Sequence, residues 1–360
     1  VSLLVAGLGT ALPEHRTSQA EALALALELW PYSEEQRRLL PTIYRRSGVA
    51  HRHTVLPDLR AALSPRDGAT PGTAARMRDF VAHSPALAAA AARAALADAD
   101  LPRDAISHLV TVSCTGAMAP GLDVLLIRAL ELPPGVLRTH VGFMGCHGAL
   151  SGLRLASALA ASQPDAAVLL CAVELCSLHF HAGTDPEKIV ANALFGDGAA
   201  AIVGRHVADG REPAGPRNDG RWRLLDSATV LLPDSEDAMT WTIGDEGFGM
   251  TLSARVPALI GEHLGPWLTR WLAGRGLTLA DIRSWAVHPG GPRVLDAVEE
   301  ALALPAGATD VSRQVLAEHG NMSSPTVLFI LERLARQGAP RPCVSLAFGP
   351  GLVAEAALLG

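Results

Sequence analysis

Apolar positions along the chain fall into short runs, separated by longer stretches with helical spacing. Val1 to Leu8 is a continuous apolar run of strand length and predicts a buried strand. GTALPEHRTSQAE follows, with Thr17 or Ser18 as the candidate N-cap of a helix over Gln19 to Trp30. Pro57 to Gly72 repeats Pro and Gly and reads as a loop. Ala75 to Ala99 predicts a long Ala-rich helix, and His108 to Val112 a strand. Thr139 to Phe143, short and partly β-branched, reads as the end of another strand.

The pattern then recurs. Leu96, Leu101 and Ile106 precede the strand at His108, and Leu272, Leu277 and Ile282 precede a short run at Trp285 to Val287. The spacing from each residue to its counterpart is 176 residues. Two predicted helices end alike, in ALELP at Ala129 to Pro133 and ALALP at Ala301 to Pro305. Two helix starts follow a glycine, at Gly145-Cys146 and Gly320-Asn321. FGDGAAAIVG from Phe195 is echoed by FGPGLVAEAALLG from Phe348. An ordered series of this kind predicts a duplicated α/β unit built on parallel βαβ crossovers. The halves divide as residues 1–221 and 222–360, with the polar stretch Arg205 to Arg221 as their joint.

Composition narrows the class. The chain has 360 residues, enough for a large core; 49% hydrophobic and 18% charged residues exclude a disordered chain and a coiled coil. A formal net charge of −6 argues against a partner held by phosphate neutralisation, so no nucleic acid is expected. No apolar run reaches the roughly 20 residues of a membrane span, and Leu3 to Leu8 lacks the flanks of a signal peptide. Five cysteines (Cys114, Cys146, Cys171, Cys176, Cys343), odd in number and without CxxC spacing, predict reduced thiols in a cytoplasmic protein, with no disulfide framework and no zinc site.

The chemistry centres on VGFMGCHGALSGLRL, Val141 to Leu155. Strand end, small residues, cysteine and helix form a layout that places a thiol at a helix N-terminus. Peptide dipoles and free N–H groups there favour the thiolate. A thiolate is the nucleophile for acyl transfer from a thioester; the competing reading of Cys146 is a small buried residue. Facing halves would bring Cys146 opposite Asn321, with His288 on the loop after the Trp285 strand. His288 could pair with the thiolate and polarise a carbonyl. Asn321 could share a developing oxyanion. Arg37, Arg38, Arg45, Arg46, His51 and Arg52 cluster around Ile43, either as a solvated helix face or as an anion site for a phosphate-bearing substrate.

At these residues the chain resembles the thiolase-like condensing enzymes and, among them, the bacterial type III polyketide synthases of the chalcone synthase family. The resemblance rests on Gly145-Cys146, FGDGAAA at Phe195, HPGG at His288, GNMSS at Gly320 and FGPG at Phe348. It implies an α/β thiolase-like fold, with duplicated βαβαβαββ halves in a five-layer αβαβα sandwich. It also implies an acyltransferase of secondary metabolism: Cys146 carries the starter and the growing polyketide, while His288 and Asn321 promote decarboxylation of malonyl-CoA and stabilise the enolate. A homodimer is implied, acting on malonyl-CoA and a starter acyl-CoA, with no metal, organic cofactor or obligatory carrier protein.

By the same resemblance Phe195 is a gatekeeper, and Met250 replaces a second gatekeeper phenylalanine. Trp241 stands where plant relatives have a small glycine. Ala119 matches a residue that reaches into the partner's cavity. Cys114 lies in SCTG, seen in relatives that make tetrahydroxynaphthalene. Ser323, Gly349 and Pro350 belong to the cavity motifs, and Arg46, Gly290 and Gly291 to the CoA entrance. The expected products are alkylpyrones or alkylresorcinols, with malonyl-primed tetrahydroxynaphthalene synthesis as the nearest rival. A ketoacyl-ACP synthase III-like enzyme and a non-catalytic thiolase-fold partner are the further alternatives.

Overall fold

The computed structural model describes residues 2–64, 71–163, 165–181, 185–207 and 220–360. The chain opens with β1 (Ser2–Ala11), β2 (His15–Ser18), α1 (Gln19–Leu29), α2 (Glu34–Arg46), β3 (His51–Thr54), α3 (Leu59–Leu63) and α4 (Thr73–Ala99). It continues through β4 (His108–Ser113), α5 (Leu122–Leu130), β5 (Leu137–Gly142), α6 (Gly148–Ser162), β6 (Ala167–Leu175), α7 (Pro186–Leu194) and β7 (Asp197–Val207). Then come β8 (Arg223–Leu231), β9 (Met239–Gly244), β10 (Gly247–Leu252), α8 (Val256–Ala273), β11 (Ser284–Val287) and α9 (Pro292–Ala301). The chain ends with α10 (Asp310–His319), α11 (Thr326–Arg336), β12 (Cys343–Gly349) and β13 (Val353–Leu359).

Ser18 caps α1 with a reciprocal box, accepting from the Glu21 N–H while Glu21 accepts from its own. Part of the loop expected over 57–72 is the short helix α3, begun by Asp58 accepting from the Ala61 N–H; residues 65–70 of that stretch lie outside the described residues, as do 208–219 of the expected joint.

Nine strands form one sheet in the order β11-β12-β13-β8-β1-β7-β6-β4-β5. Pairs β4–β5, β4–β6 and β11–β12 are parallel, as the crossover pattern requires, and the remaining pairs are antiparallel. The strands of the two repeats meet where β1 pairs with β8, at Leu3–Leu224 and Leu4–Arg223.

Buried side chains sort into five layers. Helices α4 and α5 cover one face of the earlier strands, packing on Leu109, Leu169, Cys171 and Val203. Helices α8 and α9 cover one face of the later strands, on Trp285, Val344 and Leu346. Helices α6 and α11 fill the middle, against Val110, Leu170 and Ile202 on one side and Cys343, Ala347 and Ala357 on the other. A middle-layer helix meets apolar neighbours on both sides. Leu328, Phe329, Ile330 and Leu331 of α11 are therefore all buried in succession, each contributing roughly 1.5–3 kcal/mol.

The Ala-rich face of α4 lies directly on β1, where a Cβ at Gly7 or Gly9 would collide with the backbone at Ala95. Alanine and glycine are thus the sizes that this close approach admits. Among the described residues α4 is the one helix long and apolar enough to cross a membrane by length and composition. Here its alanine face is core.

The second repeat departs from the expected βαβαβαββ pattern. Between α9 and α10, where the first repeat has β5, Leu302 to Thr309 forms no strand. Pro305 in that segment has no N–H to give to a ladder.

Candidate active site

Cys146 follows β5 in a single 3-10 turn, Gly145–His147, before α6 begins at Gly148. Gly145 has φ +65°, and a Cβ there would collide with Pro350 of the FGPG turn. A Cβ at Gly349 would run into the His147 ring. The two repeats therefore touch through glycines beside the thiol. Cys146 is half-buried. Asn321 differs from its sequence-based placement: α11 begins only at Thr326. Asn321 instead lies in a short extended bridge beside Phe195, its N–H donating to Leu194 O at 2.8 Å and its carbonyl accepting from Gly196 N at 3.0 Å.

The Asn321 side chain has one end committed, because its Oδ1 accepts from the Ser323 N–H at 2.8 Å. Its amide N–H₂ is left for the Cys146 sulfur, which Ser323 also reaches. Burial nonetheless pushes the Cys146 thiol up to about 11, against the opposing hydrogen bonds of Ser323 and Asn321. Burial likewise pushes His288 down to about 3, with His147 adding to the effect. Both shifts favour the uncharged forms, a thiol at Cys146 and a neutral imidazole at His288, not the thiolate that a helix N-terminus alone predicts. His288 is 1% exposed, and neither ring nitrogen has a hydrogen-bond partner. Its backbone N–H is fixed to Leu346 O at 2.7 Å.

Cys146, Cys114, Phe195, Trp241, Met250, Ser323 and Pro350 share the wall of one cavity of about 30 Å³. Trp241 and Met250 face each other across the β9–β10 hairpin in direct register. A larger cavity of about 750 Å³ brings together Arg46, Gly290 and Gly291 with Ser47, Leu194 and Arg293. Ala119 is exposed and lies outside the cavity of its own chain.

Of the arginine cluster, Arg46 alone lines the large cavity. Arg38 pairs with Glu34 on the α2 surface, and Arg37 donates to Tyr32 O. Arg52 is buried and bonded to carbonyls, so it is not part of an anion site.

Three neighbours escaped the sequence reading. Glu174, 0% exposed, accepts from Ser113, the Cys114 and Thr115 N–H groups, and the Thr115 and Ser324 hydroxyls. Burial raises its pKa. A lone acid in the apolar strand AVLLCAVEL was the available signal. Cys176 lines the same cavity as Cys146. Arg293 joins Arg46 on the wall of the larger cavity. Among the described residues no cluster of metal-ligating side chains occurs.

Comparison with known proteins gives a concordant picture. Residues 2–206 match the family model "Chalcone and stilbene synthases, N-terminal domain", and residues 223–360 match the corresponding C-terminal domain. A 1,3,6,8-tetrahydroxynaphthalene synthase of Streptomyces peucetius subsp. caesius is 39% identical over 99% of this chain and 92% of its own. The α-pyrone synthesis polyketide synthase-like Pks18 of Mycobacterium tuberculosis is 32% identical, over 99% of this chain and 90% of its own. The crystal structure of PKS-I from the brown alga Ectocarpus siliculosus superposes with a TM-score of 0.93 at 32% identity, covering 100% of this chain and 98% of that one.

Proposed function

The chain belongs to the chalcone and stilbene synthase family and is a type III polyketide synthase with a thiolase-like fold, and from that premise we propose how its residues divide the reaction. The Cys146 thiol gives its proton to His288, and the thiolate attacks the starter acyl-CoA, expelling CoA. Malonyl-CoA enters through the cavity lined by Arg46, Gly290, Gly291 and Arg293. His288 and the Asn321 amide hold its thioester oxygen. Loss of CO₂ then leaves an enolate whose charge rests on that oxygen. The enolate carbon attacks the Cys146 thioester and releases the thiolate, and the lengthened chain returns to Cys146 for another round before cyclisation.

The observation that carries this reading is His288. A buried imidazole with both nitrogens unpartnered calls for a partner. A substrate carbonyl oxygen beside Cys146 supplies one.

For the starter, Met250 opens a gate that an aromatic ring would narrow, while Trp241 occupies room that a bulky aromatic acyl group needs. A thin aliphatic acyl-CoA fits both, giving alkylpyrones or alkylresorcinols. A cavity of about 30 Å³ favours a second reading, in which malonyl-CoA itself primes synthesis of tetrahydroxynaphthalene, the product named for the Streptomyces relative.

The working form is a cytoplasmic homodimer. Edge strand β5 with exposed Leu137, and the neighbouring Phe143, Met144 and Ala119, provide the face for a second copy. The reaction needs CoA thioesters, without a carrier protein, metal or organic cofactor.

The test is incubation with malonyl-CoA alone and with a panel of acyl-CoA starters, followed by mass spectrometry of the products. Turnover that requires acyl carrier protein would assign the chain to fatty-acid initiation instead.

A further inference from the structure

Arg52 is 2% exposed, one of the largest side chains fully enclosed in the protein, and among the described residues its hydrogen-bond acceptors are carbonyl and amide oxygens, not carboxylates. An isolated buried cation is costly unless its donors are satisfied. Nε is buried without a hydrogen-bond partner, and the two Nη groups turn to the carboxyl end of α7 and to Gln19. Nη1 donates to the carbonyls of Asn192 and Phe195, the latter at 3.2 Å. Nη2 donates to the Ala193 carbonyl at 3.2 Å and to the Gln19 side chain. These are the last-turn carbonyls that a helix leaves without internal partners, and a cation there also suits the helix dipole. Burial lowers the guanidinium to about 10, which still leaves it charged at neutral pH.

The same few residues hold the reaction centre. Phe195 follows α7 directly. Leu194 O accepts from Asn321 N at 2.8 Å, and Gly196 N donates to Asn321 O at 3.0 Å. The Arg52 Cβ packs against both segments. A Cβ at Gly196 would lie 3.1 Å from the Arg52 Cβ, and a Cβ at Gly320 would lie 3.5 Å from it. Gln19 extends the contact outward, donating to Ser47 Oγ at 2.7 Å on the wall of the large entrance cavity.

We propose that Arg52 is a positioning residue for decarboxylation: by clamping the end of α7 it fixes Phe195 and, through the Phe195–Asn321 bridge, the distance of the Asn321 amide from the substrate oxygen. The proposal rests on the reading of Asn321 as the enolate-stabilising donor. Loading of Cys146 depends less on that distance, because the thiol is held by another element, the turn before α6.

The experiment compares two half-reactions in full-length Arg52→Met and Arg52→Lys: CO₂ release from malonyl-CoA, and acylation of Cys146 read by intact-protein mass spectrometry. Misplacing a reacting group by about 1 Å can cost about 10²-fold. Arg52→Met should therefore lose decarboxylation by about 10-fold or more relative to acylation. Arg52→Lys, which keeps the charge but not the planar fork, should fall between Arg52→Met and wild type. Equal losses in both half-reactions would make Arg52 merely structural and overturn the proposal. Should Arg52→Met fail to fold, Gln19→Ala removes one acceptor of the clamp and should shift the same ratio in the same direction; an unchanged ratio overturns the proposal. Asn321→Ala serves as the control. If it retains decarboxylation, the reading of Asn321 falls and the Arg52 role falls with it. If it loses decarboxylation while Arg52→Met does not, only the Arg52 role falls.

Discussion

The indole N–H of Trp241 donates to the backbone carbonyl of Cys114 at 2.7 Å. The ring is also held edge-on to His179 at 5.7 Å and to Phe248 at 5.9 Å. His179 in turn accepts from the Phe248 N–H and bonds to Thr115 O, so the hairpin tip and the cavity floor move as one. Trp241 is a fixed wall of the cavity, not a swinging gate.

Removing that wall should change specificity before it changes chemistry. Trp241→Gly is expected to raise kcat/KM for an aromatic ester such as a coumaroyl thioester relative to a medium-chain acyl-CoA. The ratio of the two constants in wild type and variant is the measurement. A wild type that already prefers the aromatic ester would contradict the cavity argument and leave Cys146, His288 and Asn321 in place.

Cys146→Ala should bind CoA esters and form no acyl-enzyme. The other two thiols on the cavity, Cys114 and Cys176, are buried, and burial raises the pKa of both well above the ordinary thiol range. Intact-protein mass spectrometry during turnover reads the result. A starter-derived adduct on the variant would move the nucleophile elsewhere.

His288 should govern how readily Cys146 ionises. Burial raises the thiol to about 11, against the hydrogen bonds of Ser323 and Asn321, and a base that receives its proton would work against that. In His288→Gln the rate of iodoacetamide alkylation at Cys146 should rise only at more alkaline pH than in wild type. Superimposable pH–rate profiles would mean that His288 does not receive the thiol proton.

Arg46 and Arg293 line the larger cavity, and both side chains are exposed. Guanidinium groups there are suited to the phosphates of CoA. Arg46→Ala should raise KM for CoA esters about 10-fold or more, from about 1.5–3 kcal/mol for a hydrogen bond to a charged group. A short thioester lacking the nucleotide should be spared. Arg293→Ala is expected to act in the same direction. Equal loss with both substrates would make these residues structural.

Acid should destabilise the fold. Burial lowers His147, His179 and His319 to about 4 and His288 to about 3. In the unfolded chain these imidazoles titrate near about 6.5. Between those values the unfolded state binds protons that the folded state refuses, so stability is full above the unfolded value and is lost as pH falls. Asp197, raised to about 6 by burial, works in the opposite sense, and so does Glu174. The four imidazoles outweigh them. Tm should be lower at about pH 5 than at about pH 7.5; a higher Tm at the acid end would show that the carboxyl groups dominate.

Local features of the fold were legible where local physics decides them. The apolar run forming β1, the Ser18 cap and the close-packed alanines of α4 each depend on neighbours in sequence. The loops that carry Cys146 and His288 were legible too: each follows a strand, β5 and β11, as the repeated pattern predicts. Arg52 was not legible. It read as one more arginine of an exposed cluster, since the carbonyl that Nη1 holds lies 140 residues away in sequence. Asn321 was expected at a helix start, yet Gly320 and Asn321 serve the extended bridge to Phe195, and no local pattern encodes a long-range bridge. The missing strand in the second repeat was not legible either, because the ALALP ending repeats ALELP while the residues after it, 306–309, form turns.

The place of β1 in the sheet bears on the order in which the chain can fold during synthesis. It lies between β7, where Leu8 faces Ile202, and β8, where Leu3 faces Leu224. A strand made before both of its neighbours must therefore wait, apolar and unpaired, for some two hundred residues of chain to follow. Pairings so distant in sequence form slowly and leave sticky intermediates. The Ala-rich helix α4, synthesised soon afterwards and fitted to Gly7 and Gly9, offers β1 a temporary cover during that interval. A ribosome stalled between β7 and β8 should hold a nascent chain whose first repeat is ordered while one edge of β1 stays open to chaperones.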